Sequence, residues 1–221
     1  MKLDFITIGN IYIETFYNTE NSRIIDFKER ITGECLNIAI NGSILKAKTG
    51  IVASVGRDAY GITELLEKYS IDYSNLILSK EKTGRIIKVN KEYIFEGANK
   101  FLSFEPEVLK KTRIIHVCDN VSIAKKIMMT KKNCILSTSL ETEADIIFSA
   151  KEGPGTRIVL GEKIKFGDKV YDADFRKKGK SVFIAAFLTR YSKTQNFDSS
   201  IRYGISAMKA SKNEILGDSN G

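Results

Sequence analysis

The residues with the most chemical promise stand late in the chain, at Lys178-Gly179-Lys180-Ser181, directly before the apolar run Val182-Phe183-Ile184-Ala185-Ala186-Phe187-Leu188. A polar, glycine-bearing turn ahead of such a run reads as the start of a buried helix from about Ser181. A helix start offers unpaired N–H groups and the positive end of a dipole, so this turn can hold an anion. Its two lysines add point charges suited to a phosphate. Gly179-Lys180-Ser181 would close a P-loop only with glycine at 174, where the chain has Asp174, and that reading is rejected. The one histidine, His116, leaves little room for histidine metal sites or catalytic triads. Cys35, Cys118 and Cys134 are far apart with no CxxC pair, so reduced, buried thiols and no metal site are expected.

The elements that must position this turn follow from hydrophobic patterning. Apolar runs at residues 3–8, 50–55, 113–118, 134–138, 144–149 and 157–160 read as buried strands. Residues 11–16 and 22–27 suggest a hairpin standing off the main sheet, and residues 163–171 a second hairpin around Gly167-Asp168. A stripe of Leu36, Ala39, Ile40, Ser43, Ile44 and Ala47 predicts a helix after Gly33, and two more helices close the chain. Strand-turn-helix units of this kind predict an α/β fold with a mainly parallel sheet. Ligands bind at the carboxyl ends of such strands, where Gly9-Asn10, Gly56-Arg57-Asp58, Asp119-Asn120 and Gly161 fall.

With 221 residues, 43% hydrophobic, the chain is expected to form one domain over residues 1–221. The net charge of +8 would suit nucleic acid or an anionic ligand such as a nucleotide, but reads first as a lysine-rich surface. The basic residues are dispersed, in pairs such as Lys110-Lys111 and Lys125-Lys126, which argues against a nucleic-acid partner. No charged leader and no membrane-length apolar stretch is evident, so a cytoplasmic location without a membrane partner is expected.

Three segments together resemble the PfkB family of carbohydrate and nucleoside kinases, in the ribokinase-like superfamily. Gly33-Glu34-Cys35-Leu36-Asn37-Ile38-Ala39 is similar to the family's Gly-Gly-x-x-x-Asn-x-Ala substrate motif. Val55-Gly56-Arg57-Asp58-Ala59-Tyr60-Gly61 is similar to its Val-Gly-x-Asp-x-x-Gly turn, and the run from Phe183 to the helix after its Gly-Ala-Gly-Asp signature. Thr83-Gly84 resembles the start of the return strand of the lid. The resemblance implies a three-layer α/β sandwich with a small β lid, here about residues 11–31 plus 84–102. It implies a transferase that binds ATP with Mg²⁺ and moves the γ-phosphoryl group to a hydroxyl of a sugar or nucleoside. Lids of this family often pair two copies into a homodimer.

The resemblance also names site residues. On the substrate side they are Asn10, Glu14, Gly33 and Asn37. Glu14 stands where the family has an early substrate aspartate, with an exposed strand acid as the alternative; Asn37 would bond hydroxyls, with a helix cap as the alternative. On the nucleotide side they are Gly161, Lys178, Gly179, Lys180 and Ser181. The departures lie on this side. The family's Asn-x-x-Glu motif is missing near residues 150–153, with Glu152 out of register, and the short Pro154-Gly155-Thr156 link implies a lost helix. Aligned back from Phe183, the signature's aspartate, the base of the family's reaction, is Ser181. A serine cannot take a proton as a carboxylate does. Asp172 or Asp174 would be substitute bases, or turn residues after the hairpin. Two readings follow: a sugar or nucleoside kinase homologue with a degraded catalytic motif, or a pseudoenzyme that binds or regulates on the same scaffold.

Overall fold

A computed structural model describes residues 2–21, 23–173 and 179–211. Along the chain, β1 (Phe5–Ile8) leads into β2 (Tyr12–Glu20) and β3 (Arg23–Thr32). Next come α1 (Glu34–Ile44), β4 (Thr49–Val52), β5 (Ser54–Val55) and α2 (Tyr60–Lys68). β6 (Ile77–Leu78), β7 (Gly84–Lys88), β8 (Glu92–Phe95), a 3-10 turn (Gly97–Phe101) and α3 (Val108–Lys111) follow. Then come β9 (Ile114–Val117), α4 (Val121–Thr130), β10 (Ile135–Thr138), β11 (Ile146–Ser149) and β12 (Arg157–Leu160). β13 (Ile164–Phe166), β14 (Lys169–Tyr171), α5 (Lys180–Thr194) and α6 (Phe197–Ala210) complete the described chain.

The main sheet has the order β14-β13-β12-β11-β10-β9-β1-β4. From β12 to β4 every pairing is parallel; β13 and β14 add an antiparallel edge. Strands buried on both faces need apolar residues at successive positions, which is why β1 and β9 read as unbroken runs. One face packs Phe5 and Phe148 against Phe183 and Phe187 of α5, with α1 and α6 beside it. The other packs Ile6, Ile8, Ile115 and Val117 against Ile123, Ala124 and Ile127 of α4. Each fully buried side chain of this size contributes about 1.5–3 kcal/mol relative to exposure.

No helix separates β11 from β12, as the short link at Pro154 implies. The β10–β11 connection also lacks one. Parallel strands usually need about a dozen residues or more between them. Here the uncovered face is partly charged. Ile158 and Leu160 point into the core, so Arg157 and Val159, with Lys165 across the ladder from Val159, share the opposite side. Arg157 pairs with Glu141 at 2.6 Å and Lys165 with Glu152 at 2.8 Å, so ion pairs occupy part of the face that a helix would otherwise cover.

A second sheet, ordered β3-β2-β7-β8, stands on the carboxyl side of β1. Two side chains fasten it. Asn99 accepts from the Ile11 N–H at 3.3 Å and donates to the Ile11 carbonyl at 3.1 Å. Asp58 accepts from the Thr83 N–H and hydroxyl, each at 2.8 Å, and from Arg85 at 3.0 Å. Burial pulls the Asp58 carboxyl up, but Thr83 and Arg85 outweigh it and hold it below the usual range. The Gly56-Arg57-Asp58 turn, expected among the ligand-facing strand ends, is thus engaged in holding the second sheet.

Gly42 marks the closest approach of α1 to the main sheet. A Cβ there would overlap the Phe5 ring and lie 2.8 Å from Thr49 Cγ2. Alanine is the better helix former by about 1 kcal/mol, yet overpacking a tight core costs about 1–3 kcal/mol. Gly42→Ala is therefore predicted to lower the urea midpoint; a raised midpoint would refute the tight contact.

Candidate functional site

The ends of β1, β9 and β10 lie level, because Ile8 and Thr138 both pair with Val117. The chain beyond them brings Gly9-Asn10, Cys118-Asp119 and Ser139 to one edge, and α1 and α5 begin there. Gly33 caps α1 with φ +150° and ψ 138°, a conformation that excludes ordinary side chains. A Cβ at Gly33 would also overlap the Asn10 carbonyl oxygen. The start of α1 is thereby pressed onto the end of β1. Cys35 donates its S–H to that same carbonyl at 3.3 Å.

Asp119 shapes the next side of the site. Its Oδ2 accepts from the Asn10 N–H at 2.9 Å. A Cβ at Gly9 would stand 2.6 Å from this oxygen, so only glycine admits it. The residue is exposed as a whole, but its tucked oxygen is partly desolvated. That desolvation, with Glu34 nearby, raises the carboxyl above its usual range against the opposing pull of Asn10 and Lys180. The Asn10 side chain donates to the Tyr12 hydroxyl at 3.2 Å.

Asn37 is the fourth residue of α1 and is buried, and Gly33 takes the cap, so the helix-cap alternative does not hold. Its Oδ1 has no hydrogen-bond partner among the described residues. An unpaired buried acceptor costs about 1–3 kcal/mol, and a ligand hydroxyl would relieve it. Ser181, the second residue of α5, is in the same state: it is 6% exposed and its Oγ has no partner among the described residues. α5 begins at Lys180 with no side-chain cap and no acid in its first turn.

A polar chain links the two helix starts. Lys180 Nζ lies 2.9 Å from Glu34 Oε1, which also accepts from the Ser139 hydroxyl at 2.8 Å. Ser139 Oγ lies 3.3 Å from His116 Nε2, and Ser137 Oγ 2.9 Å from His116 Nδ1. Since Ser139 spends its proton on Glu34, the network assigns the hydrogen of His116 to Nε2. Burial, with Lys180 adding to it and Glu34 opposing, pushes His116 down to about 4.

The structure therefore brings Asn10, Gly33, Gly179 and Lys180 to one place, with Asn37 and Ser181 in the opening turns of the two helices. Glu14 is elsewhere engaged. It is buried in the second sheet and paired with Arg30 and with Lys88, the latter at 2.8 Å. Burial pulls its carboxyl up, but Lys88 and Arg30 outweigh that and hold it below the usual range. Both cations also cover the Phe16 ring, at 5.0 and 5.2 Å. Glu14 is thus no exposed acid, and among the described residues no contact joins it to Asn10 or Asp119. Gly161 follows β12, where a Cβ would meet nothing nearer than 3.7 Å, so nothing there demands glycine. Asp172 is exposed and pairs with Lys163 at 3.2 Å. Lys178 and Asp174 lie outside the described residues. Sequence reasoning missed Glu34, Ser139 and the burial of His116, and placed Asp119 only as a strand-end residue. Among the described residues no group of three or more His, Cys, Asp or Glu side chains could hold a metal. No helix among them is long and apolar enough to cross a membrane.

No family model matches the chain. Over 87 residues it is 40% identical to a 5-dehydro-2-deoxygluconokinase of Mesomycoplasma hyopneumoniae (strain 232). That match spans 36% of this chain and 25% of the relative. Among solved structures it is similar to ribokinase from Thermotoga maritima, with a TM-score of 0.80, 17% identity, and 98% of this chain and 95% of the other covered. Arabidopsis thaliana ribokinase complexed with ribose and ATP gives a TM-score of 0.76 at 15% identity, covering 99% and 96%. Methanocaldococcus jannaschii nucleoside kinase, an archaeal member of the ribokinase family, gives 0.71 at 16%, covering 94% and 91%.

The buried imidazole yields a direct check. A base held neutral in the fold but protonated in the unfolded chain makes stability fall as pH drops from 6.5 towards 4, by up to about 3 kcal/mol. With one histidine in the chain, its NMR signal is unambiguous. The titration midpoint is predicted near 4; a midpoint at the ordinary value would show that the Ser137–His116–Ser139 chain is open to water.

Proposed function

The chain has the ribokinase fold, and on that premise we propose that it is a sugar or nucleoside kinase homologue with an intact hydroxyl-binding half and a weakened phosphoryl-transfer half. The observation that carries this reading is Asn37 Oδ1, a buried acceptor with no partner among the described residues. Asn10 and Asp119 supply further polar groups at the adjoining strand ends. The names of the relatives, a sugar kinase, two ribokinases and a nucleoside kinase, point the same way.

The start of α5 fits a phosphate group: unpaired N–H groups, the Lys180 charge and the orphaned Ser181 hydroxyl converge there. ATP would supply the phosphoryl group. Magnesium typically arrives on substrate phosphates with only one or two carboxylates added, so it needs no preformed cage. Free, buried cysteines fit a reducing cytoplasm. Apolar side chains exposed on the edge strands of the second sheet, Ile24, Ile25, Phe27 and Tyr93 to Phe95, fit a lid that pairs with a second copy. The second reading, binding without turnover, is favoured by Ser181 standing where a carboxylate would take the acceptor proton.

The test is calorimetric binding of a panel of sugars and nucleosides, followed by ADP formation from ATP and Mg²⁺ with those that bind. Asn37→Leu is predicted to weaken acceptor binding about tenfold, the scale of one lost hydrogen bond, without lowering the urea midpoint. Binding with no ADP formed would select the second reading. If no member of a broad panel binds, the hydroxyl-binding half is not functional.

A further inference from the structure

We propose that Glu34, at the start of α1, is the carboxylate that takes the acceptor hydroxyl's proton, and that Lys180 holds it at the mouth of α5 until a phosphate draws Lys180 away. The inference rests on the phosphoryl-transfer reading of this site. It does not follow from the family resemblance, which assigns the base to the position of Ser181.

Proximity singles out Glu34. Glu34 is the one carboxylate ion-paired to the first turn of α5 among the described residues. Asp119, the nearest competitor, has Oδ2 committed to the Asn10 N–H and wedged at Gly9. Asp172 is paired with Lys163 on the hairpin. Its orientation suits the role as well. Among the described residues Lys180 and Ser139 both meet Glu34 at Oε1, which leaves Oε2 for a ligand. Ser139, itself braced by His116, keeps the carboxylate in place when Lys180 departs.

Lys180 stands in an unfavourable place. A cation in the first turn of a helix opposes the helix dipole. It is tolerated here because the Glu34 carboxylate neutralises it across the gap between the two helices. An incoming phosphate would bind the α5 N–H groups, the Ser181 hydroxyl and Lys180 together. The buried Ser181 Oγ has no partner among the described residues, which fits a place that a ligand completes. With Lys180 on the phosphate, the Glu34 carboxylate is released from its ion pair and can meet the acceptor hydroxyl. In the transfer step the acceptor O–H bond breaks and its proton passes to Glu34 Oε2. The acceptor oxygen forms a bond to the terminal phosphorus of a nucleoside triphosphate, and the P–O bond to the nucleoside diphosphate breaks with its electron pair leaving on the diphosphate.

The test uses the full chain as wild type, Glu34→Gln, and Glu34→Gln with Ser181→Asp, each checked for an unchanged urea midpoint. Inorganic phosphate binding, read by calorimetry, is expected to tighten at least fivefold in Glu34→Gln because Lys180 is released. Turnover is expected to fall at least a hundredfold in kcat with acceptor binding changed less than threefold, and the added Ser181→Asp is expected to recover tenfold or more. Phosphate binding that is unchanged or weaker in Glu34→Gln overturns the role of Lys180. Wild-type turnover that persists in Glu34→Gln overturns the base while leaving the kinase reading standing. A wild type that turns over no acceptor it binds overturns both.

Discussion

The site depends on one place where two segments meet with no room for a side chain. The carbonyl oxygen of Asn10 occupies the volume that a Cβ at residue 33 would need. Only glycine permits this contact, and glycine also permits the backbone angle that turns the chain into α1. The consequence is positional. With the start of α1 pinned to the end of β1, Glu34 lies beside Ser139 at the end of β10, and Asn37 is buried one turn further on. Gly9 does the same for Asp119 on the neighbouring strand. A parallel sheet aligns its strand ends; these two glycines let the ends carry functional groups instead of bulk.

The second feature is an electrostatic imbalance that the protein corrects internally. α5 opens with a lysine and a buried serine where an acid or a capping side chain would be favourable. The correction comes from α1, whose own start is suited to a carboxylate. The Glu34–Lys180 pair ties the two helix starts together, and it leaves the Ser181 hydroxyl and the N–H groups of α5 available to a ligand. The pair is partly exposed, so its direct contribution to stability is small, within about 1 kcal/mol. Its importance lies in where it places a carboxylate.

Much of the fold was legible because its signals are local. Unbroken apolar runs announced β1, β9 and β12, and the stripe from Leu36 to Ala47 announced α1. Pro154-Gly155 announced a link without a helix. The turn at Gly179 was legible for the same reason, as a polar segment ahead of an apolar helix. What could not be read is what depends on register or on meetings between distant segments. Glu14 looked like a ligand for hydroxyls. It is the direct ladder partner of Arg30, and that pairing follows from hairpin register rather than from residue type. Glu34 and Lys180 are far apart in sequence, and nothing local marks them as partners. His116 looked uninformative as a single histidine, yet Ser137 of β10 and Ser139 just beyond it give it a defined role as a brace. Asp58 was placed correctly at a strand end, but its hydrogen bonds run to Thr83 and Arg85.

The most direct test of the central claim, that the starts of α1 and α5 form one site for a hydroxyl and a phosphate, is a crystal structure of the protein with inorganic phosphate and a bound acceptor. The account predicts phosphate oxygens within hydrogen-bond distance of Ser181 Oγ and the first N–H groups of α5. It also predicts Lys180 turned from Glu34 to the phosphate, and an acceptor hydroxyl on Asn37 Oδ1. An acceptor bound with Asn37 Oδ1 still unpartnered, or phosphate bound elsewhere while the Glu34–Lys180 pair stays closed, would contradict it.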